Sequence, residues 1–136
     1  MEISRLMRKP VTVTSGETLA AAAALMHEHD VGSVAVMEGS HIVGVLTDRD
    51  IVIGHVAADS STRAVVQDVM TPQVVSCPAT ASVEEVAATM GDYQVRRLVI
   101  CDDAGRLVGI VSVGDIAKHY SEHLAGETLG EIVEFR

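Results

Sequence analysis

Aromatic residues are nearly absent from this chain. There is no Trp, and two Tyr and one Phe are the whole supply. A core must therefore be built from Val, Ile, Leu, Ala and Met, and few rings are left on which nucleic-acid bases could stack. Basic residues are scarce too. Ten Lys and Arg stand against nineteen Asp and Glu, a formal charge of −9, which excludes a broad DNA- or RNA-binding surface. Cysteine occurs only at Cys77 and Cys101, with neither CxxC nor metal-finger spacing, and both are read as free thiols. No apolar run approaches the roughly 20 residues of a membrane span. Met1-Glu2-Ile3-Ser4-Arg5 lacks the apolar stretch of a signal peptide. The expectation is a cytoplasmic protein that touches neither membrane nor nucleic acid. The 136 residues suffice for one ordinary domain or two small ones, and 48% hydrophobic composition supports a packed core.

What the chain does have is one short stretch twice. Val43-Gly44-Val45-Leu46-Thr47-Asp48-Arg49-Asp50-Ile51 and Val108-Gly109-Ile110-Val111-Ser112-Val113-Gly114-Asp115-Ile116 share the pattern apolar-Gly-apolar-apolar-hydroxyl-x-x-Asp-Ile. The residues around the glycine read as a buried strand. The Thr or Ser is a natural helix cap, with the Asp in the first helical turn. Such a box is more often a cap than a ligand site. It is also a place where a hydroxyl, a carboxylate and free N–H groups meet, a chemistry that suits an anion.

The repeat extends well beyond the box. Val11–Thr14 reads as a short strand, Thr14-Ser15-Gly16-Glu17 as a capping box, and Glu17 to His29 as a helix closed by Asp30-Val31-Gly32. Its buried stripe is Leu19, Ala22, Ala23 and Met26. Strands at 33–37 and 42–46 flank the turn Glu38-Gly39-Ser40, and Asp48 to about Ala58 continues as a helix. The polar stretch Asp59–Arg63 is the natural linker. The order then recurs, with strand 74–77, a helix whose stripe is Val83, Val86, Ala87 and Met90, strand 97–101, the turn Asp102-Asp103-Ala104-Gly105, and strand 107–111. Each stripe residue lies 64 positions after its counterpart, and Asp115 lies 65 after Asp50, so the second turn carries one extra residue. Two β-α-β-β-α copies near 60 residues each give an α+β fold assembled from α/β-type repeats. Each copy alone buries little. The expected arrangement is pseudo-twofold, with the sheets facing a shared core. The expected divisions are 1–62 for the first repeat with lead-in and linker, 63–120 for the second, and 121–136 for a C-terminal tail. In that tail Glu122–Gly126 ends a helix, and Glu127–Arg136 forms a short amphipathic one that packs on its own body or on a second subunit.

The two copies, the lead-in Asp68-Val69-Met70-Thr71 and the strand Val95-Arg96-Arg97-Leu98-Val99-Ile100 together resemble a tandem pair of cystathionine-β-synthase-type (CBS) domains, a Bateman module, of the stand-alone bacterial kind. The likeness spans about residues 3 to 120. It implies a regulatory module that binds AMP, ADP, ATP or S-adenosylmethionine in clefts between the repeats, with no cofactor required and no catalytic residue. Carried over, Asp50 and Asp115 hold ribose hydroxyls, and Thr47 and Ser112 hold a phosphate or ribose oxygen. Val31, Gly32 and Ser33 line one adenine pocket and Val95, Arg96 and Arg97 the other, with Val11 and Val74 as apolar walls. Arg96, Arg97 and Arg49 are candidate phosphate partners in the cleft of Asp50. The resemblance also implies a homodimer, a flat disc of four repeats, and a client protein. Ala20–Ala24 and Ile51–Val56 supply apolar faces for such pairing. The alternative is a structural, protein-binding dimer module in which the boxes are only caps.

Other constellations are weaker. His119 and His123 fall four apart, as two ligands on one helix face do, but no third ligand of fixed spacing accompanies them. No metal site is expected. No nucleophile motif or phosphate loop occurs.

Overall fold

The structure, a computed structural model, describes residues 1–58 and 64–136. The linker expected at Asp59–Arg63 lies outside the described residues. The chain forms two compact units, Pro10–Val74, and Met1–Lys9 together with Val75–Arg136. They are called here the first-repeat and second-repeat units.

In the first-repeat unit, β1 (Thr12–Thr14) leads into α1 (Leu19–His29), which returns to β2 (Ser33–Glu38) parallel to β1. A hairpin turn with Gly39 at φ 61° joins β2 to the antiparallel β3 (His41–Thr47), giving a sheet in the order β1-β2-β3. Helix α2 (Asp48–Ile51) follows at once and loosens into a π-helical turn, Val52–Val56, short of the uniform helix expected to Ala58. The short α3 (Val66–Val69) closes the unit. The second-repeat unit repeats this with β4 (Ser76–Pro78), α4 (Val83–Tyr93), β5 (Arg97–Cys101), β6 (Leu107–Ser112) and α5 (Val113–His119), in the sheet order β4-β5-β6. The fold class is mixed α+β, as expected. Both middle strands are buried on both faces, at Val34–Val36 and Leu98–Ile100, which explains their unbroken apolar runs.

The core of each unit is its helix stripe set against its sheet. Leu19, Ala22 and Met26 are buried with Val34, Val36 and Leu46, while Ala23, expected in the stripe, is exposed. All four residues of the second stripe, Val83, Val86, Ala87 and Met90, are buried.

The units do not follow the sequential division at 62/63, because each sheet is completed by the segment that precedes the other repeat. Ile3, at 0% exposure, and Leu6 are buried in the second-repeat core. Arg8 exchanges two backbone hydrogen bonds with Ile110 on β6, 2.8 and 3.0 Å. In the first-repeat unit Val66 is buried in the core, and Thr71 pairs with Val45 on β3 through two bonds of 2.9 Å. Burying a side chain the size of Ile contributes about 1.5–3 kcal/mol, which adds to the burial of Leu6 and the bonds to Ile110 in offsetting the ordering of the lead-in. The glycine of each repeated stretch makes room for this crossing. A Cβ on Gly44 would lie 2.8 Å from the Thr71 carbonyl oxygen and from Met70 Sδ, and one on Gly109 would run into the Met7 side chain.

Lead-in docking also displaces an expected cap. Ser15 and Glu17 accept the backbone N–H groups of Gln67 and Val66, so the cap of α1 is Thr18, whose hydroxyl accepts the Ala21 N–H at 3.1 Å, and not Thr14. The tail is one helix, α6 (Glu122–Ile132), packed on α4 and α5 of its own unit, where two pieces broken near Gly126 were expected. Gln94 ends α4 in the left-handed region at φ 53° and donates from Nε2 to the carbonyls of Glu131 and Glu134, 3.3 and 2.7 Å, pinning the end of α6. No helix among the described residues is long and apolar enough to cross a membrane.

Candidate functional site

The repeated stretch becomes the same turn in both units. Each strand ends on a hydroxyl residue in extended conformation, and the chain enters a helix directly after it. Thr47 Oγ1 accepts the Asp50 N–H at 3.0 Å, and Asp50 Oδ2 accepts the Thr47 N–H at 3.0 Å. Ser112 Oγ accepts the Asp115 N–H at 3.1 Å, and Asp115 Oδ2 accepts the Ser112 N–H at 2.9 Å. These reciprocal bonds satisfy two N–H groups left free at the helix start and are worth about 0.5–2 kcal/mol. They engage one carboxylate oxygen of each Asp and leave Oδ1 to face outward from the box.

What Oδ1 meets differs between the units. At Asp50 it is the Thr71 hydroxyl, a long contact of 3.5 Å, with 3.4 Å to Oδ2. At Asp115, only 7% exposed, it is the Arg8 guanidinium at 3.6 Å. Thr71 and Arg8 hold equivalent places, each bridged to the edge strand one residue after the Met that lies against the glycine. Sequence reading missed both residues. The available signal was the recurrence of Met7-Arg8 as Met70-Thr71 in the two lead-ins.

The other expected residues fall beside the box of their own unit. The Gly32 carbonyl accepts the Asp48 N–H at 3.0 Å, Ser33 pairs with Thr47 across the sheet, and the Val31 N–H caps α1 through the Met26 carbonyl. Correspondingly, the Arg96 carbonyl accepts the Val113 N–H at 2.9 Å, Arg97 pairs with Ser112, and the Val95 N–H meets the Met90 carbonyl. Arg96 and Arg97, expected to serve Asp50, thus flank Ser112 within their own unit. Arg49 is exposed, its N–H donated to Asp48 Oδ1 at 2.8 Å. Val11 packs on the first-repeat core and its carbonyl accepts the Ala35 N–H. The residue doing the same in the second-repeat unit is Val75, bonded to the Val99 N–H, one position beyond the expected Val74.

Chemically, each turn is a hydroxyl-and-carboxylate acceptor pair suited to hydroxyl donors, and the second has a cation at hand. Cys101 is not an activated nucleophile, because burial and the neighbouring Asp102 carboxylate push its thiol pKa up. His119 and His123 do not share a helix. α5 ends at His119, Ser121 starts α6 by accepting the Leu124 N–H at 3.0 Å, and His123 contacts Glu127 at 2.9 Å.

The sequence model of the CBS domain matches residues 3–54 and again 66–122, once over each lead-in and repeat. The chain belongs to the CBS domain family. CBS domain-containing protein YhcV of Bacillus subtilis is 38% identical over 122 residues, which cover 89% of this chain and 86% of the relative. Hypoxic response protein 1 of Mycobacterium tuberculosis is 41% identical over 122 residues, 87% of this chain and 84% of that protein. Among solved structures, the CBS domain pair of protein MJ0100 in complex with 5-methylthioadenosine and S-adenosyl-L-methionine matches with a TM-score of 0.77 at 26% identity, covering 87% of this chain and 98% of that one. The chain thus carries a pair of CBS copies, and its repeated box is a feature of both.

Proposed function

We propose that this CBS pair is a regulatory module, not a catalyst, that binds adenosyl ligands such as AMP, ADP, ATP or S-adenosylmethionine at its two capping turns. The observation that carries the reading is the outward oxygen of Asp50. Its box is complete without Oδ1, and among the described residues Oδ1 has only a 3.5 Å contact with the exposed Thr71 hydroxyl. A carboxylate so placed accepts from a ribose diol without giving up the cap. The adenosyl ligands bound to the CBS pair of MJ0100 support the same chemistry. Binding would shift the populations of conformations that a client protein distinguishes, with no bond made or broken. A homodimer belongs to this reading, since Val52, Ile53 and Val56 are more than half exposed on the π-helical turn.

The test is thermal unfolding with each ligand, on the wild type and on Asp50→Ala and Asp115→Ala, beside sedimentation of the ligand-free protein. A ligand at 100 times its Kd adds about 2.7 kcal/mol and raises Tm by several degrees. A shift lost in one Asp variant supports the reading. No shift with any ligand at millimolar concentration refutes it, and a monomer in sedimentation refutes the dimer. The completeness of both boxes favours a second reading, a protein-binding module whose turns are only caps, and that outcome would leave it standing.

A further inference from the structure

The two turns share one box but not one charge. In the second-repeat unit three arginines are rooted around Ser112–Asp115. Arg8 lies 3.6 Å from Asp115 Oδ1, Arg96 accepts the Val113 N–H, and Arg97 pairs with Ser112. The equivalent positions in the first-repeat unit are Thr71, Gly32 and Ser33, none of them charged. There the turn carries a second carboxylate instead, Asp48, whose Oδ2 lies 3.2 Å from where a Cβ on Gly32 would stand, and its own sequence supplies the cation Arg49. The second turn has Val113 and Gly114 in place of Asp48 and Arg49.

We propose that Arg8 is a specificity-determining residue, making the Asp115 turn select adenosyl ligands that carry a phosphate, while the Asp50 turn selects those that are uncharged beyond the ribose. The inference rests on the adenosyl reading above and assigns each turn its ligand class. Two backbone bonds to Ile110 fix the root of Arg8, and its side chain is 53% exposed, so guanidinium N–H groups stay available beside the Asp115 contact. Guanidinium–phosphate bonds are roughly twice as strong as neutral ones and often bidentate. At the Asp50 turn, Asp48 and Asp50 together repel a phosphate.

The experiment is calorimetric titration of the full chain with adenosine and with AMP. Asp50→Ala isolates the Asp115 turn and Asp115→Ala the Asp50 turn. Arg8→Thr, which copies Thr71 into the second turn, replaces a half-exposed side chain and leaves Ile3 and Leu6 in place. In the Asp50→Ala background AMP is expected to bind about tenfold tighter than adenosine, with Arg8→Thr erasing most of that preference and leaving adenosine within about threefold. Arg8→Lys should retain part of the preference. With Asp115→Ala adenosine should bind at least as well as AMP. Equal effects of Arg8→Thr on both ligands, or no effect, overturn the assignment while adenosyl binding stands. No binding of either ligand to the wild type overturns both.

Discussion

The box at Thr47–Asp50 and the box at Ser112–Asp115 are held by hydrogen bonds of 2.9–3.1 Å in both units, yet one carboxylate faces a hydroxyl and the other a guanidinium. The difference separates two kinds of constraint. Bonds within the box join residues three apart and are dictated by the start of a helix, so any Thr or Ser with an Asp in this pattern forms them. The group opposite Oδ1 arrives on a lead-in from a distant part of the sequence, and nothing in the box restricts it. One repeated architecture can thus keep its fold while its two turns diverge in charge.

The comparison can be pressed hardest at the lead-ins. Ile3→Ala should cost the second-repeat unit about 2–5 kcal/mol in urea unfolding, since it opens a cavity in a fully buried place. Val66→Ala in the first-repeat unit removes one fewer carbon and should cost less. A loss under about 1 kcal/mol at Ile3 would mean that the lead-in is not part of the second-repeat core. The crossing glycines should separate the units next. Gly44→Ala meets a main-chain carbonyl as well as Met70 and should cost about 1–3 kcal/mol, whereas the atoms nearest a Cβ on Gly109 all belong to the Met7 side chain, whose outer part can turn away, so Gly109→Ala should cost less. Equal losses would show that Thr71 yields as easily as Met7.

The smallest effect concerns a contact of the second-repeat unit. The Tyr120 hydroxyl donates to Glu84 Oε1, holding the Glu84 carboxyl below its usual pKa, and the same bond pushes the Tyr120 phenol up. A carboxylate with a depressed folded pKa contributes stability that is present above its unfolded pKa and lost as pH falls through the folded one. A phenol with a raised folded pKa contributes stability that is present below its unfolded pKa and lost as pH rises through the folded one. Tyr120→Phe should therefore lower Tm slightly near neutral pH and converge with the wild type at both the acidic and alkaline extremes. A constant offset across pH would assign the loss to packing. Both groups are exposed, so the shift should be small.

Much of the fold is legible in the sequence because the repeat announces itself locally. The stripe Val83, Val86, Ala87 and Met90 and the unbroken strands follow from periodicity. Ala23 is misread because an alanine run fits several helical faces equally well. Thr18 is missed as a cap because Ser15 and Glu17 are committed to Gln67 and Val66, far along the sequence. The candidate site follows the same rule. Thr47, Asp50, Ser112 and Asp115 are legible since they speak to one another, whereas Arg8 and Thr71 are defined by long-range pairing, and their trace in the sequence is the recurrence of Met7-Arg8 as Met70-Thr71. Val74 in place of Val75 is a register slip of one residue in a short strand, where alternation gives too few positions to fix the phase.

The exchange of lead-ins also sets an order in time. A chain leaves the ribosome from its N-terminus. Ile3 and Leu6 emerge before the strands and helices that bury them, which lie beyond Val75. The first-repeat unit can close once Thr71 is out, while residues Met1–Lys9 stay unburied until the second repeat has followed. A chain truncated before β6 would leave Ile3 and Leu6 exposed beside a finished first repeat, a mark by which quality control could tell that the second repeat is missing.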